Sequence, residues 1–291
     1  MRKSALLVSA CAAIAMGWPG TASAAPAFGE YVALGDSWAA DATLVQISGQ
    51  YAPPGCVQSA RDYSKQVAAA LRIPVFRDAT CGGAETGNMT GSQNAPLGGV
   101  NPPQFDRLGP ATDLVTLEIG GNDAGLAAAV QDCLTVNPEV SPCQASWVPG
   151  GVDLMSARIA AAEPKVAATI EGIRERSPHA RILLVDYLDG IGTTHGCFPT
   201  IPISDTDAGW IGRKLVELDA MLARVAARTG VRFVDTYRGS VGHDSCRPPG
   251  VRWVEGLIPF SSNPPGPAVP FHPNQLGADH QARAILAALG R

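Results

Sequence analysis

The chain has 291 residues, of which 46% are hydrophobic and 16% are charged, and its formal net charge is −4. This composition excludes an intrinsically disordered protein, which would contain fewer apolar residues and carry more net charge. The acidic balance and the absence of any run of Lys and Arg argue against a nucleic-acid partner. The length fits one large domain or two small ones, with a substantial buried core.

The first 24 residues have the pattern of a secretory signal peptide. Arg2 and Lys3 give a basic start, residues 5–16 are largely apolar, and residues 22–24 (ASA) form a small-residue cleavage site. The alternative is an uncleaved anchor, but the apolar run is too short to span a bilayer. We therefore expect a secreted protein without a stable membrane anchor.

Six cysteines remain once the predicted signal peptide, which contains Cys11, is removed. An even number in an exported chain predicts three disulfides, for which fifteen pairings are possible. The sequential pairing closes the shortest loops and is the one we expect. It joins Cys56 to Cys81, Cys133 to Cys143 and Cys197 to Cys246. The alternative is a metal site, but the sequence contains no Cys-x-x-Cys pair, so we expect no metal.

Short apolar strands alternate with helices along the rest of the chain. In chain order, the patterns predict a strand at 30–34, a helix at 62–71, strands at 75–79 and 113–119, a helix at 152–176, a strand at 181–187, a helix at 210–228, a strand at 231–235 and a helix at 274–289. Pro164 is expected to bend or restart its helix. Strands that are continuous apolar runs indicate a parallel sheet buried on both faces. We therefore predict a doubly wound α/β sandwich of three layers, in a single domain over residues 25–291.

Three loops follow the predicted strands at the edge where open α/β sheets bind ligands. Ser37 comes after the first strand, close to a possible helix start whose free N–H groups favour negative charge, which suits a nucleophile. Residues 81–84 (CGGA) follow the second strand, where a glycine held in place by a disulfide could aim its backbone N–H. Asn122 follows the third strand and could donate to an oxyanion. The alternatives are an N-cap for Ser37, a tight loop at residues 81–84 and a turn role for Asn122.

Five histidines are candidates for a general base. His272 lies directly before the last predicted helix, after a proline-rich loop that could fix its position. His280 lies within that helix and His179 in a polar turn. His195 and His243 lie beside cysteines, and we expect them at the rim of the site. His272 is therefore the preferred base.

Four short motifs occur in a fixed order along the chain: residues 33–37 (ALGDS), 80–86 (TCGGAET), 120–123 (GGND) and 272–274 (HPN). Together they resemble the SGNH (GDSL-type) hydrolases, and within them the secreted three-disulfide esterases and lipases of actinomycetes. Residues 252–255 (RWVE) and the cysteine spacing are also similar to that branch. The resemblance extends over essentially the whole chain after residue 24.

The resemblance implies a fold, a reaction and a set of site residues. The fold is a three-layer α/β/α sandwich with a parallel, flavodoxin-like sheet. Ser37 would be the nucleophile and His272 the base, and the oxyanion would be held by Ser37 and Gly83 N–H groups and the Asn122 side chain. The expected enzyme is a serine esterase or lipase that forms an acyl-enzyme intermediate, without a cofactor.

The expected partner is a small-molecule or lipid ester, and the protein is expected to be a monomer. The alternatives are a carbohydrate acetyl esterase and a non-catalytic secreted binding protein of the same fold. Residues 253–260 are rich in apolar side chains and could line an acyl groove.

Two features depart from the family pattern. The aspartate expected three residues before the histidine is Val269 here, so we expect a Ser37–His272 dyad oriented by a backbone carbonyl near Val269 or Pro270. Trp38 replaces the more usual small or tyrosine residue and is expected to reshape the acyl pocket. We expect structural roles for Asp36 and Asp123, as caps of backbone N–H groups.

Overall fold

The computed structural model describes residues 27–259 and 268–291. The predicted signal peptide lies outside these residues. The strands are β1 (Glu30–Gly35), β2 (Val75–Asp78), β3 (Gln93–Asn94), β4 (Val100–Asn101), β5 (Leu114–Glu118), β6 (Arg181–Val185) and β7 (Arg232–Val234). The α-helices are α1 (Tyr63–Leu71), α2 (Gly121–Ala124), α3 (Leu126–Asp132), α4 (Pro142–Trp147), α5 (Leu154–Arg176), α6 (Asp205–Thr229), α7 (Tyr237–Ser240) and α8 (Gln275–Ala288).

Five of the strands form a parallel sheet in the order β2-β1-β5-β6-β7, and β3 pairs with β4 in a small antiparallel ribbon. Numbered along the chain, the five strands of the large sheet have the flavodoxin order 2-1-3-4-5. The predicted fold class is therefore confirmed. The order reverses between β1 and β5, where Gly35 pairs with Glu118 and the two strands end side by side. Ligands bind outside this switch point in folds of this type.

Alternate residues of β1 enter the two apolar cores that the sheet separates. Val32 and Leu34 belong to the larger core with residues of α5 and α6. Tyr31 and Ala33 belong to the smaller core with residues of α1 and α8. Because both faces are covered, the strands contain apolar residues at successive positions, as the sequence predicted.

One of the two outcomes expected at Pro164, a restart of the helix, does not occur, and helix α6 begins earlier than predicted. Helix α5 runs through Pro164 without a restart, because the ring and the carbonyl that it frees lie on the exposed side of the helix, where water can satisfy the carbonyl. Helix α6 begins at Asp205 rather than at residue 210. The hydroxyl of Ser204 caps it, accepting a hydrogen bond from the N–H of Asp207 at 3.2 Å.

The three disulfides join Cys56 to Cys81, Cys133 to Cys143 and Cys197 to Cys246, as the sequential pairing predicted. Within the described ranges, none of the helices has the length and apolar character needed to cross a membrane.

Candidate active site

Ser37 and His272 meet at the carboxyl edge of the sheet. The hydroxyl oxygen of Ser37 lies 2.8 Å from Nε2 of His272, although 235 residues separate them in the chain. The other ring nitrogen, Nδ1, lies 2.8 Å from the carbonyl oxygen of Pro270. Nδ1 is therefore the protonated nitrogen, which donates to the carbonyl and leaves Nε2 to accept the hydrogen of Ser37.

A buried glutamine fixes the turn that presents Ser37. The side chain of Gln104 accepts from the N–H of Gly35 at 2.8 Å and donates to the carbonyl of Gly35 at 2.8 Å. A Cβ atom at Gly35 would lie 2.5 Å from both Ala39 Cβ and Glu118 O, so only glycine fits. Residues 37–41 form turns rather than a helix, so Ser37 is not an N-cap, and the turn is held by Asp36 Oδ1, which accepts from Trp38 N–H at 2.9 Å.

The loop around Gly83 is held from three directions. Cys81 N–H donates to Gly35 O at 3.2 Å, Gly82 N–H donates to Cys56 O at 2.9 Å, and the Gln93 amide donates to Gly82 O at 2.6 Å. Gly83 itself has φ +73°, a conformation that favours glycine. The disulfide from Cys56 to Cys81 ties the same loop.

Asn122 adjoins this loop. It lies in α2, which begins directly after β5, and its side-chain amide donates to Ala84 O at 2.9 Å. Asp123 links the same two segments, because it accepts from the N–H of Thr86 at 2.9 Å and from its hydroxyl at 2.6 Å. Asp123 thus has the structural role expected of it.

A tyrosine that the sequence patterns did not single out connects these turns. The hydroxyl of Tyr187 donates to Asp36 Oδ2 at 2.5 Å and accepts from Gly121 N–H at 2.8 Å. Burial raises the pKa of Asp36 to about 6, and the hydrogen bonds from Tyr187 and Trp38 N–H oppose that rise.

The backbone of His272 is fixed between two neighbouring segments. Glu255 N–H donates to His272 O at 2.9 Å, and Phe271 N–H donates to Glu255 O at 3.2 Å. Asn274 then caps α8 by accepting from Leu276 N–H at 2.9 Å, while its amide donates to Glu255 Oε1 at 2.9 Å. Burial lowers the pKa of His272, and the hydrogen bond to the Pro270 carbonyl partly opposes this effect.

A largely apolar cavity of about 370 Å³ opens beside these residues. Ser37, Asn122 and His272 line this cavity. Gly83 does not line it, but the neighbouring residue Ala84 is hydrogen-bonded to Asn122, which does. The apolar lining comes mainly from α3, α6 and the loops after β1, β6 and α7, and includes Trp38, Leu126, Val130, Ile191, Ile203, Ile211, Leu215, Val254 and Leu257.

A model of the GDSL-like Lipase/Acylhydrolase family matches residues 33–280. The chain belongs to this family. Lipase 2 of Streptomyces coelicolor is 33% identical to it, over 97% of this chain and 95% of that protein. Together with this relative, the family match makes the protein a carboxylic ester hydrolase of the lipase/esterase type.

Two solved structures share the fold. Phospholipase A1 from Streptomyces albidoflavus NA297 superposes with a TM-score of 0.64 at 23% identity, covering 91% of this chain and 99% of that one. An extracellular lipase from Streptomyces rimosus superposes with a TM-score of 0.60 at 24% identity, covering 90% and 98%. Both likenesses support the α/β fold that the motifs suggested.

His195 and His243 do not lie where the sequence analysis expected them, and the loop at 253–260 lines the cavity only in part. Among the described residues, neither His195 nor His243 lines the cavity. The ring of His243 instead stacks on Trp253, with ring centres 3.9 Å apart. In the loop at 253–260, Val254 and Leu257 line the cavity as expected. Trp253 does not line it, because its ring packs between His243 and His280. Residue 260 lies outside the described residues.

Sequence patterns also missed Gln104 and Tyr187. Gln104 lies in a short 3₁₀ turn far from any motif. Tyr187 is the last residue of the predicted strand 181–187, two residues beyond the end of β6, where the pattern indicates one more core residue. The signal that could have identified Tyr187 is an aromatic residue with a hydroxyl group near the carboxyl end of a central strand.

Proposed function

We propose that the protein is a secreted serine esterase or lipase that uses Ser37 as nucleophile, His272 as base and an acyl-enzyme intermediate. The observation that carries this proposal is the 2.8 Å contact between Ser37 Oγ and His272 Nε2, with Nδ1 held by the Pro270 carbonyl. A serine hydroxyl with a neutral imidazole in hydrogen-bond reach is the arrangement that nucleophilic catalysis needs.

The reaction has two steps, which are the acylation of Ser37 and the hydrolysis of the acyl-enzyme. Ser37 Oγ bonds to the ester carbonyl carbon while its proton moves to His272 Nε2. The tetrahedral intermediate then breaks its bond to the alcohol oxygen, which takes the proton from Nε2 and leaves. Water attacks the acyl-enzyme, again giving a proton to Nε2, and that proton returns to Ser37 Oγ as the acid is released.

The oxyanion would be held by the backbone N–H groups of Ser37 and Gly83 and by the Asn122 amide. Within the part of the chain that the structure describes, neither of the two backbone N–H groups donates a hydrogen bond. The Asn122 amide uses one hydrogen on Ala84 O, and a side-chain amide has a second one to donate. These features support three available donors near the nucleophile.

The apolar cavity favours an ester with an extended acyl chain over an acetyl ester. Leu126 and Val130 of α3 and Ile211 and Leu215 of α6 are among the residues that line the cavity. Burial of each additional methylene on such a surface contributes about 0.8 kcal/mol to binding. An acetyl group would leave most of these side chains uncovered.

Secretion and a monomeric state complete the proposal. The pattern of the first 24 residues supports export. Three disulfides are typical of proteins that fold outside the cytoplasm. Amino-terminal sequencing of protein from the culture medium should begin at Ala25, and size-exclusion chromatography with light scattering should give the mass of one chain.

Labelling with a serine-reactive fluorophosphonate tests the chemistry. The wild-type protein should be labelled at Ser37, and the Ser37→Ala variant should show neither labelling nor esterase activity above background. Normal turnover by Ser37→Ala would overturn the assignment. A series of p-nitrophenyl esters tests the substrate class, and a sharp preference for acetate would favour the carbohydrate acetyl esterase instead.

A further inference from the structure

We propose that Tyr187 is a positioning residue that sets the Asn122 amide at its working distance from Ser37. It makes no contact with the reacting atoms and would act through the turns on either side. This inference rests on the proposed function, because it assigns Tyr187 a role in the same oxyanion site.

The hydroxyl of Tyr187 bridges two segments that each carry one functional residue. It donates to Asp36 Oδ2 at 2.5 Å, and Asp36 directly precedes Ser37. It accepts from Gly121 N–H at 2.8 Å, and Gly121 directly precedes Asn122. The nucleophile turn after β1 and the donor turn after β5 are therefore connected through one oxygen atom.

The bridge is rigid because the ring of Tyr187 is tightly enclosed. Tyr187 is only 2% exposed, and its backbone N–H donates to the buried Asp219 at 3.0 Å. A Cβ atom at Gly121 would lie 3.0 Å from the hydroxyl and 3.1 Å from Cζ, so backbone and ring are in direct contact. The edge of Trp38 packs on the same ring at a centroid distance of 5.4 Å.

The hydroxyl keeps its proton at any working pH. Burial raises the pKa of Tyr187 well above its ordinary value, and the nearby carboxylate of Asp36 raises it further. The donated hydrogen bond to Asp36 is thus always available. Asp36 is itself anchored at its second oxygen by Trp38 N–H, so the bridge starts from a fixed point.

Without the hydroxyl, Gly121 N–H would lose its partner, and the start of α2 would be held only by the bonds that Asn122 and Asp123 make to the Gly83 loop. A shift of about 1 Å in a catalytic group can reduce a rate by about a hundredfold. A donor that acts mainly on the transition state affects kcat rather than KM. Tyr187→Phe should therefore lower kcat by about tenfold to a hundredfold and change KM by less than about twofold.

A double-mutant cycle separates positioning from general structural damage. If Tyr187 acts through Asn122, then Tyr187→Phe should lower kcat by less than about threefold when Asn122 is already alanine. Equal losses in both backgrounds would overturn the proposal, as would an unchanged kcat in the wild-type background. Fluorophosphonate titration of active sites should be used to express each kcat per folded site.

Tyr31→Phe is the matched control. The hydroxyl of Tyr31 is also fully buried and bonds to Thr116 at 2.7 Å, but it lies in the core away from the site. This variant should keep the wild-type kcat, and thermal unfolding should show a comparable loss of stability for both Tyr→Phe variants.

Asp36→Asn is the second variant, for use if Tyr187→Phe does not fold. An Asn whose oxygen still accepts from Trp38 N–H would present its amide nitrogen to Tyr187, which cannot accept the hydroxyl hydrogen. It should give the same fall in kcat and the same non-additivity with Asn122→Ala, and full activity would overturn the proposal. If these variants contradict the role of Tyr187 while Ser37→Ala is inactive, the positioning proposal is wrong and the proposed function is unaffected.

Discussion

The ring nitrogen Nδ1 of His272 lies 2.8 Å from the carbonyl oxygen of Pro270, in the direction where a triad would have a carboxylate. A carbonyl fixes the tautomer of the ring, but it carries no full charge to stabilise the imidazolium. The burial of the ring therefore has a larger effect on the pKa of His272 than the hydrogen bond to Pro270, and this pKa falls below its ordinary value.

We expect the acid limit of activity to lie below pH 6.5, the ordinary pKa of a histidine. The base must be neutral, and a lowered pKa keeps the ring neutral as the pH falls through that value. The measurement is kcat/KM against pH, which reports ionisations of the free enzyme. An acid midpoint above pH 6.5 would contradict this expectation.

A companion variant assigns that midpoint to His272. Asp36, with a pKa of about 6, titrates in the same range. Val269→Asp should place a carboxylate near the ring, favour the imidazolium and move the midpoint to higher pH. If the midpoint does not move, the limiting group is not His272.

Asn122→Ala should lower kcat by about 10²–10³-fold with a smaller change in KM, because removing one oxyanion donor typically has this effect. Asn94→Ala is a suitable control, since Asn94 is an exposed residue on the β3–β4 ribbon. Hydrolysis of a p-nitrophenyl ester under saturating conditions measures both variants. A loss below threefold in Asn122→Ala would remove this side chain from the oxyanion site.

The Cys56–Cys81 disulfide should matter for both stability and activity. It joins residues 25 positions apart and ties the Gly83 loop, so replacing both cysteines with serine should reduce the free energy of unfolding by about 3 kcal/mol and also lower kcat. Denaturant unfolding and kcat, measured on the same preparation, test this.

Removal of the Cys197–Cys246 disulfide is the comparison. That bond spans 49 positions and should contribute about 4 kcal/mol to stability. No residue in its loop is a proposed oxyanion donor, so kcat at a temperature where the variant is folded should be close to that of the wild type. Equal effects of the two removals on kcat would show that the first bond has no special role in the site.

The sequence predicted the five strands of the large sheet with ends within two residues of those observed, because most of them are short apolar runs. It also singled out Ser37, Asn122 and His272, which line one cavity in the structure, since each lies after a strand or before a helix at the carboxyl edge. Position next to a strand or helix end is enough to predict that such residues lie close together, because the fold class determines that these ends share one edge of the sheet.

Contacts between distant segments could not be predicted in the same way. Gln104 holds Gly35 across 69 residues, and Tyr187 holds Asp36 across 151 residues. Neither residue lies in a motif, and their roles depend on side-chain directions that periodicity does not determine. The start of α6 was missed for a simpler reason, because its first turn (residues 205–209, DTDAG) lacks the apolar spacing that predicts the rest of the helix.

Trp38 should control which acyl chains the cavity accepts. Its indole lines the cavity and packs against Gly190, where a Cβ atom would lie 3.3 Å from Trp38 Cη2 and 3.2 Å from Leu215 Cδ2. Trp38→Ala should widen the cavity at this point, whereas Gly190→Ala should narrow it. The backbone hydrogen bond from residue 38 to Asp36 does not depend on the indole, so the nucleophile turn should persist.

The two variants should therefore move the acyl-length preference in opposite directions. Relative to the wild type, Trp38→Ala should raise the ratio of kcat/KM for long over short p-nitrophenyl esters, and Gly190→Ala should lower it. Trp147→Phe is a control within the core, because Trp147 does not line the cavity and its ring nitrogen bonds to Asp132 at 2.9 Å. A change of the same sign in both variants would show that Trp38 and Gly190 do not form one wall of the acyl site.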